Sequence, residues 1–354
     1  MIQPLHPAFS GKAILITGVT GTVGRELLRQ LVRFAEIRVV GIDNNESEIF
    51  YLEEAHRDDP VELFLADIRD RDALTQRFRG VDVVFHCAAM KHVGVCERSP
   101  RDVLQCNLIG TQNVIDASVA NDVEQVCLTS SDKAVNPTNV MGSSKLMCER
   151  LMTAANLYTR SNGCRFSSTR FGNVLGSRGS VIPLFRRQIE AGGPVTITDR
   201  RMTRFIMGLR QSVRLVLESA PLAEGGEIFV PRMPVAAIED LAHVMIQAVA
   251  PRVGRDPASI QILELGARPG EKLYEELLTE EESRRAYDIG EYIAIPPTSR
   301  RNGHPPIARA YNSRLETPLS RTRLRDFLIE HGLLEREIPV SEESVRLPLP
   351  VMER

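Results

Sequence analysis

The sequence Ala13-Ile-Leu-Ile-Thr-Gly-Val-Thr-Gly-Thr-Val-Gly24 begins with a short apolar run and continues into three glycines spaced three residues apart. The run Ala13–Thr17 predicts a buried strand, and helical spacing follows over Val23–Phe34. A glycine-rich surface turn would look alike on its own. The order strand, glycine turn, helix is the context that a dinucleotide-binding fingerprint requires. There the glycines let the backbone approach a pyrophosphate, and the helix N-terminus offers free N–H groups.

The alternation of strand and helix in that first unit repeats along the chain. Short apolar runs predict buried strands at Ala13–Thr17, Ile37–Asp43, Val61–Ala66, Val81–Cys87, Glu124–Thr129 and Arg165–Phe171. Helical spacing separates them at Val23–Phe34, Glu48–His56, Asp70–Phe78, Asp102–Ala120 and Val140–Tyr158. Strands that alternate with helices imply right-handed crossovers and a parallel sheet covered on both faces. The predicted fold class is therefore α/β, a Rossmann-type doubly wound parallel sheet.

Beyond Phe171 the alternation stops. One strand is predicted at Val195–Thr198, and helices at Ile182–Ala191, Gln211–Ser219, Ala237–Val249, Lys272–Leu278 and Thr322–His331. We expect a dinucleotide-binding domain over residues 1–175, with a contribution from about 205–235. A smaller substrate-binding α/β region is expected over 176–338, and a C-terminal tail over 339–354.

Acidic residues at two strand ends indicate which dinucleotide is bound. Asp43 ends the second strand 19 residues after Gly24, where a carboxylate accepts both ribose hydroxyls and repels a 2′-phosphate. The prediction is NAD rather than NADP, and Glu46 adds negative charge nearby. The alternative is that Asp43 caps a helix. Asp67, at the end of the third strand, faces the adenine or caps a helix, and both remain open.

Composition excludes several classes of protein. The 354 residues carry 44 Lys and Arg against 46 Asp and Glu, a net charge of −2, which lacks the basic excess of a nucleic-acid binder. No apolar stretch approaches the roughly 18 residues of a membrane span. The N-terminus lacks a signal-peptide pattern. The six cysteines contain no C-x-x-C pair, which argues against structural zinc. We expect a cytoplasmic chain with free thiols and no metal.

Polar side chains follow the fifth predicted strand. Ser131, Asp132 and Lys133 come directly after it, where parallel strands open into a ligand crevice. Asp132 and Lys133 either form an ion pair that braces the loop or act as an acid and a base in a closed pocket. Met141 precedes Lys145 by four residues, where a short-chain dehydrogenase/reductase would place tyrosine. A thioether has no proton to give, so Met141 cannot be a general base.

These segments resemble the UDP-N-acetylglucosamine 4,6-dehydratase family of extended short-chain dehydrogenases/reductases. Six matches occur in order: Ala89-Met-Lys-His-Val, Thr129-Ser-Ser-Asp-Lys-Ala-Val-Asn-Pro-Thr-Asn-Val-Met-Gly-Ser-Ser-Lys, Arg170-Phe-Gly-Asn-Val-Leu-Gly-Ser-Arg-Gly-Ser-Val-Ile-Pro, Ile197-Thr-Asp-Arg-Arg-Met-Thr-Arg-Phe, Gly226-Glu-Ile-Phe-Val-Pro and Arg268-Pro-Gly-Glu-Lys. Methionine at 141 resembles the branch usually fused to membrane spans and generally retaining at C5. The soluble, inverting branch keeps tyrosine, so the C5 outcome stays open.

The resemblance implies a reaction. Oxidation at sugar C4 acidifies the C5 proton, elimination of water follows across C5 and C6, and C6 is then reduced. In this scheme Lys133 takes the C5 proton and Asp132 protonates the leaving C6 hydroxyl. Ser131 binds the C4 oxygen, and Lys145 binds the nicotinamide ribose. With Met141 in place of tyrosine, the C4 hydroxyl proton leaves through Asp132, Ser131 or water.

The remaining site residues follow from the fingerprint and the resemblance. Cofactor contacts are expected from Gly18, Thr20, Gly21, Thr22, Val23, Asp43, Asn44, Glu46, Asp67, Ile68, Ala88, Ala89, Lys91, Asn107 and Lys145. Substrate contacts are expected from Lys91, His92, Asn173, Ser180, Val181, Leu184, Arg204, Arg268 and Glu271. Arg204 and Arg268 would meet the pyrophosphate, unless they are solvated surface arginines. His92 is either a substrate ligand or an inert loop histidine.

Rival functions remain. The same scaffold supports an epimerase that skips water loss or a 5,6-dehydratase that stops at the exocyclic alkene. Met141 also fits a non-catalytic NAD-binding sensor. The expected partners are a UDP-sugar and further copies of the chain.

Overall fold

The six predicted strands of the first 171 residues all form and lie side by side in one parallel sheet. The computed structural model describes residues 7–158, 163–177, 179–266, 270–298 and 304–335. The six strands are β1 (Ala13–Thr17), β2 (Arg38–Asp43), β3 (Val61–Leu65), β4 (Val83–His86), β5 (Gln125–Ser131) and β6 (Arg165–Phe171). Their order across the sheet is β3-β2-β1-β4-β5-β6. This confirms the predicted α/β class and the Rossmann-type sheet.

Helices cover both faces of the sheet, as doubly wound folds require. The helices are α1 (Thr22–Leu31), α2 (Glu46–Ala55), α3 (Arg71–Arg77), α4 (Val93–Arg98), α5 (Pro100–Val103), α6 (Gly110–Ala120), α7 (Val140–Tyr158), α8 (Val181–Ala191), α9 (Leu209–Ser219), α10 (Ile238–Val249), α11 (Glu280–Ser283) and α12 (Arg321–Glu330). Side chains such as Ile14 and Leu27 form the core on one face, and Leu15 and Ile115 belong to the core on the other. The predicted helix Asp102–Ala120 contains a π-helical stretch over Leu104–Ile109.

The later strands are short. They are β7 (Asn173–Val174), β8 (Val195–Ile197), β9 (Thr203–Met207), β10 (Ile228–Pro231), β11 (Val235–Ala237), β12 (Ile262–Glu264), β13 (Glu276–Leu278), β14 (Tyr287–Asp288), β15 (Tyr292–Ile295) and β16 (Tyr311–Asn312). The large sheet continues past β6 through β10, β15 and β14. β10 runs parallel to β6, β15 pairs antiparallel with β10, and β14 pairs antiparallel with β15. The sheet therefore extends into the part of the chain predicted to bind substrate. The domain boundaries themselves stay a prediction.

The predicted helix Lys272–Leu278 is wrong. The segment ends in β13, which pairs antiparallel with β16 some 35 residues later in the sequence, with Glu276 opposite Asn312. A pairing partner so far along the chain outweighs local helical spacing.

A third core lies between α8, α10 and α12, around Phe185, Met245 and Leu324. Every helix in the described ranges is too short or too polar to cross a lipid bilayer.

The order of the strands locates the ligand crevice. β1 lies between β2 and β4, so the chain switches direction across the sheet at β1. Ligands of open α/β sheets bind at such a switch point, outside the carboxyl ends of the strands. Gly18 follows β1 there, and Ala88 lies just beyond β4.

Candidate active site

The glycine turn after β1 has the close approaches that exclude a side chain. Gly18 has φ +69°, and a Cβ on it would lie 2.7 Å from the backbone nitrogen of Ala88. A Cβ on Gly24 would overlap the carbonyl oxygen of Gly18. α1 begins at Thr22, so the turn leads directly into a helix N-terminus. A tight turn that opens onto free helical N–H groups is suited to a pyrophosphate.

A pocket of about 330 Å³ lies beside the turn, at the ends of β1, β2 and β3. Among the predicted cofactor residues, its lining includes Gly18, Thr20, Gly21, Asp43, Asn44, Asp67, Ile68, Ala88 and Ala89. No lysine or arginine belongs to this lining within the described chain. A pocket lined by acidic and not by basic side chains disfavours a 2′-phosphate and favours NAD.

The two pocket acids do not cap helices. Asn45 caps α2 and Asp70 caps α3. Asp43 instead accepts hydrogen bonds from the backbone N–H groups of Thr20 at 3.1 Å and Asn45 at 3.2 Å, which fixes its carboxylate in the pocket. Hydrogen bonding by Arg69 lowers the pKa of Asp67 to about 2, so Asp67 is ionised at neutral pH.

Two predicted cofactor residues, Glu46 and Asn107, line neither this pocket nor the cavity that adjoins it. Glu46 is exposed in the first turn of α2, where its charge favours the helix N-terminus. Asn107 is 1% exposed in the π-helical stretch and lies behind the loop after β4. Its amide bonds both backbone groups of Met90, at 2.8 and 3.1 Å, and donates to Ser144 Oγ at 2.8 Å. Asn107 therefore holds the loop that lines the pocket.

A second cavity, of about 530 Å³, shares Gly18, Gly21 and Ala89 with the first pocket. It gathers predicted residues from separate parts of the chain: Thr22, Val23, Lys91, His92, Ser131, Lys133, Met141, Lys145 and Asn173. The pocket and the cavity form one cleft, with the glycine turn between them. The end that contains Asp43 suits a dinucleotide, and we call the end that contains Lys133 the reacting end.

Asp132 and Lys133 form an ion pair at the edge of this cleft. Lys133 Nζ lies 3.0 Å from Asp132 Oδ1, and the Ser131 hydroxyl donates to the same oxygen at 2.7 Å. Asp132 is fully buried, whereas the Lys133 side chain is 25% exposed and lines the cavity. The pair is thus shielded from bulk water, with the lysine on the cleft side.

The charge environment keeps Lys133 protonated in this state. Burial alone would lower the pKa of Lys133, but the carboxylates of Asp132 and Glu275 outweigh it and raise the pKa above its ordinary value. Use of Lys133 as a base therefore requires its proton to move elsewhere. A bound positive charge next to the ammonium group would favour that move.

Glu275 was missed by sequence reasoning. It is 3% exposed, and its Oε1 lies 3.6 Å from Lys133 Nζ and 3.7 Å from Arg204 Nε. Sequence reasoning placed the residue on a helix, where an acid usually faces solvent. No local signal distinguishes it from Glu276.

Lys145 and Met141 lie one turn apart on α7. Lys145 is 6% exposed, and its Nζ donates to the carbonyl oxygen of Thr129 at 2.9 Å. Met141 is 4% exposed and packs in an apolar cluster with Cys96 and Val103. Met141 thus contributes an apolar wall where tyrosine would present a hydroxyl.

The predicted substrate residues separate into two groups. Lys91, His92 and Asn173 line the cavity, and Asn173 Nδ2 donates to the carbonyl oxygen of Phe205 at 3.1 Å. A second group does not line it: Ser180, Val181, Leu184, Arg204 and Glu271. Ser180 precedes α8, and its buried hydroxyl lacks a hydrogen-bond partner among the described residues. Glu271 is exposed and accepts a long hydrogen bond of 3.4 Å from Thr198. Arg268 lies outside the described residues.

Arg204 serves the protein interior rather than the cleft. Its guanidinium group donates to the carbonyl oxygens of Thr203 at 2.8 Å, Lys272 at 2.8 Å and Leu273 at 3.2 Å. It is 8% exposed and does not line the cavity, and its contact with a pyrophosphate stays a prediction. The buried position also excludes a solvated surface arginine.

A family model described as polysaccharide biosynthesis protein matches residues 14–297. The chain belongs to this family. Among polysaccharide biosynthesis relatives, a UDP-N-acetylglucosamine 4,6-dehydratase (inverting) of Campylobacter jejuni is 38% identical over 292 residues, covering 82% of this chain and 84% of the relative. A UDP-glucose 4-epimerase of Rickettsia canadensis is 38% identical over 300 residues, covering 82% and 85%. An uncharacterized membrane protein of Methanocaldococcus jannaschii is 43% identical over 334 residues, covering 94% and 100%.

Solved structures agree with the family. Pen from Bacillus thuringiensis superposes with a TM-score of 0.85 at 40% identity, covering 91% of this chain and 98% of Pen. The dTDP-glucose 4,6-dehydratase DesIV of Streptomyces venezuelae, solved with NAD, has a TM-score of 0.64 at 24% identity, covering 74% and 86%, and shares the fold. The resemblance found in the sequence is confirmed. The chain is a family member of the nucleotide-sugar dehydratase and epimerase type.

Proposed function

We propose that this protein is an NAD-dependent 4,6-dehydratase acting on UDP-N-acetylglucosamine or a close relative of that sugar. The product would be a UDP-4-keto-6-deoxy sugar. The observation that carries the proposal is the buried Asp132–Lys133 pair at the reacting end of the cleft. The relative from Campylobacter jejuni, 38% identical, supports the substrate class.

The chain's own residues fit NAD. The close approach of Gly18 to Ala88 keeps side chains out of the pyrophosphate turn, Asp43 would accept the ribose hydroxyls, and Lys145 would bind the nicotinamide ribose. When bound, NAD supplies a hydride acceptor for sugar C4 and a hydride donor for C6. The NAD-bound neighbour of the same fold supports this assignment.

The Asp132–Lys133 ion pair would carry out the elimination of water. Lys133 would remove the C5 proton, and Asp132 would protonate the departing C6 hydroxyl. The two roles require a neutral lysine and a protonated aspartate, a form about 9 kcal/mol uphill in water from reference pKa values near 3.9 and 10.4. A bound positive charge beside Lys133 would disfavour its ammonium group and make that form easier to reach.

A 4-epimerase is the second candidate, because the relative from Rickettsia canadensis is also 38% identical. Inversion at C4 needs no acid for C6. The hydrogen-bonded group of Ser131, Asp132 and Lys133 would then have no task at C5 or C6, so the geometry favours dehydration. A 5,6-dehydratase would use the group but leave an exocyclic alkene.

The fate of UDP-N-acetylglucosamine in deuterated water separates these reactions. We expect purified protein with NAD to give a C6 methyl group and deuterium at C5, both followed by proton NMR. Ring couplings would report the C5 configuration. A C4 epimer without a methyl group would establish the epimerase, and an exocyclic alkene the 5,6-dehydratase. An unchanged spectrum would refute the substrate assignment and favour a non-catalytic NAD-binding protein.

A further inference from the structure

A second buried carboxyl group lies against Lys133. Glu275 precedes β13 at the point where this strand packs beside the Asp132 turn, and its Oε1 is 3.6 Å from Lys133 Nζ. Its backbone N–H donates to Ser313 Oγ at 3.0 Å, which fixes the residue's position. Arg204 holds the other side of the same carboxyl oxygen at 3.7 Å.

The cluster has two carboxyl oxygens without donors. Within the described chain, Asp132 Oδ2 and Glu275 Oε2 are buried and lack a hydrogen-bond partner. A buried carboxylate normally has its oxygens satisfied, so each exception calls for a physical reason. Neither residue lines the cleft, whereas Lys133 does. The ammonium group therefore faces the substrate space with two proton acceptors behind it.

The proposed reaction needs two acceptors. Oxidation at C4 releases the hydroxyl proton, and Met141 cannot take it. Ser131 lines the cleft and donates to Asp132 Oδ1 at 2.7 Å, so this proton can pass through the serine hydroxyl to Asp132. Asp132 is then the acid that C6 requires. It cannot also accept the proton that Lys133 must lose before it acts as a base.

We propose that Glu275 takes the Lys133 proton during C4 oxidation and returns it at the end of the cycle. The N–H bond of Lys133 breaks, its electron pair stays on Nζ, and an O–H bond forms on Glu275. Lys133 then takes the C5 proton, and Asp132 gives its proton to the leaving hydroxyl. After Lys133 returns a proton to C5, Glu275 restores the ammonium group. The C4 hydroxyl proton leaves as part of the water, so the protons balance.

This inference rests on the proposed function, and in it Glu275 is a positioning residue, since it acts only through Lys133. The charged groups that face it are Lys133, Asp132, Arg204 and Lys272. Burial raises the pKa of Glu275 above its ordinary value, beyond the opposing effect of Lys133. Protonation of Glu275 as pH falls would remove the acceptor. The 3.6 Å separation must shorten when substrate binds, as catalytic hydrogen bonds commonly do.

The test is the pH profile of C6-methyl formation from UDP-N-acetylglucosamine, for full-length wild type, Glu275→Gln and Glu275→Asp with NAD. We expect the wild type to lose activity on the acidic side. Glu275→Gln should be slowed on the order of 100-fold at neutral pH. Above neutral pH, the rate of Glu275→Gln should rise about tenfold per pH unit, because Lys133 then loses its proton to solvent. Glu275→Asp should keep the wild-type profile at a lower rate.

The matched control is Glu276→Gln, since the neighbouring Glu276 bonds Asn136 instead and should give the wild-type profile. If Glu275→Gln has the wild-type pH profile, or loses the same factor in rate at every pH, the role of Glu275 is overturned and the proposed function is not. If Glu275→Gln does not fold, a tenfold slope per pH unit in Glu275→Asp would overturn it. Absence of a C6 methyl product from the wild type would overturn the proposed function as well.

Discussion

Met141 shows how one side chain changes the chemistry required of its neighbours. It packs with Cys96 and Val103 and is 4% exposed, so it behaves as a core residue at the edge of a reacting cavity. A thioether takes no part in proton transfer. The transfers must then involve groups that the structure places in hydrogen-bond contact, of which Ser131 and Asp132 are the first pair.

Substitutions at these two positions should differ sharply. Met141→Leu conserves volume, so we expect turnover within about threefold of the wild type. Ser131→Ala removes the hydroxyl that contacts Asp132, and we expect turnover to fall on the order of 100-fold. Steady-state dehydration rates measure both. Ser143→Ala is the matched control, because its hydroxyl is exposed and bonds the Asn139 carbonyl oxygen at 3.0 Å, away from Asp132. Equal losses for Met141→Leu and Ser131→Ala would contradict this division of roles.

At the scale of elements, Arg170 joins three parts of the fold. It extends from β6 and bonds Glu149 of α7 at 2.9 and 2.8 Å and Glu282 of α11 at 2.9 and 2.7 Å. Ser130, next to Ser131 in the chain, donates to Glu149 at 2.6 Å. Burial would raise the pKa of Glu282, but hydrogen bonds from Arg170 outweigh it and lower the pKa to about 2. The network therefore ties the Asp132 turn to the segment that carries Glu275.

Removal of the Arg170 charge should destabilise the whole fold. Arg170→Met leaves two buried carboxylates without their cation, for which a loss of about 3–5 kcal/mol in the free energy of unfolding is expected. Urea denaturation at neutral pH measures the loss. Arg165→Met is the control on the same strand, since Arg165 bonds the Ala223 carbonyl oxygen rather than a buried carboxylate among the described residues and should cost much less. A similar loss in the free energy of unfolding for both variants would show that the ion pairs of Arg170 with Glu149 and Glu282 add no particular stability.

Comparison of elements also shows what local sequence determines. β1 was predicted at its observed bounds because buried parallel strands are continuous apolar runs. β13 was predicted as a helix because a strand of three residues has no measurable alternation and depends on β16. The same dependence hid Glu275, whose burial comes from contacts with Lys133 and Arg204. In contrast, Asp132 and Lys133 follow the end of a predicted strand, so their place at the cleft could be predicted from the sequence, and their catalytic roles stay a prediction.

At the scale of the molecule, the strand order makes the cleft. Because the chain switches direction at β1, the Asp43 pocket and the Lys133 cavity meet at Gly18. Loops from both halves of the sheet then surround one continuous space. The geometry favours two ligands bound end to end in this cleft, a dinucleotide at one end and a nucleotide sugar at the other.

Cofactor choice should appear as a difference in thermal stability. A ligand at 100 times its Kd adds about 2.7 kcal/mol to the folded state. We expect NAD to raise Tm more than NADP at equal concentration, since Asp43 repels a 2′-phosphate. Differential scanning fluorimetry measures both shifts, and Asp43→Ala should narrow the difference. Asp59→Ala, distant from the pocket lining, serves as the control. A larger shift with NADP than with NAD would contradict the assignment.

The most direct test of the account is exchange of the C5 proton in the isolated UDP-4-keto-6-deoxy product, incubated with the protein and NAD in deuterated water. Proton NMR follows the loss of the C5 signal. The account predicts rapid exchange with wild type and with Lys12→Met, a control at a half-buried lysine that pairs with Glu124 and does not line the cavity. It predicts exchange at the buffer rate with Lys133→Met. Wild-type exchange by Lys133→Met would contradict the assignment of Lys133 as the base.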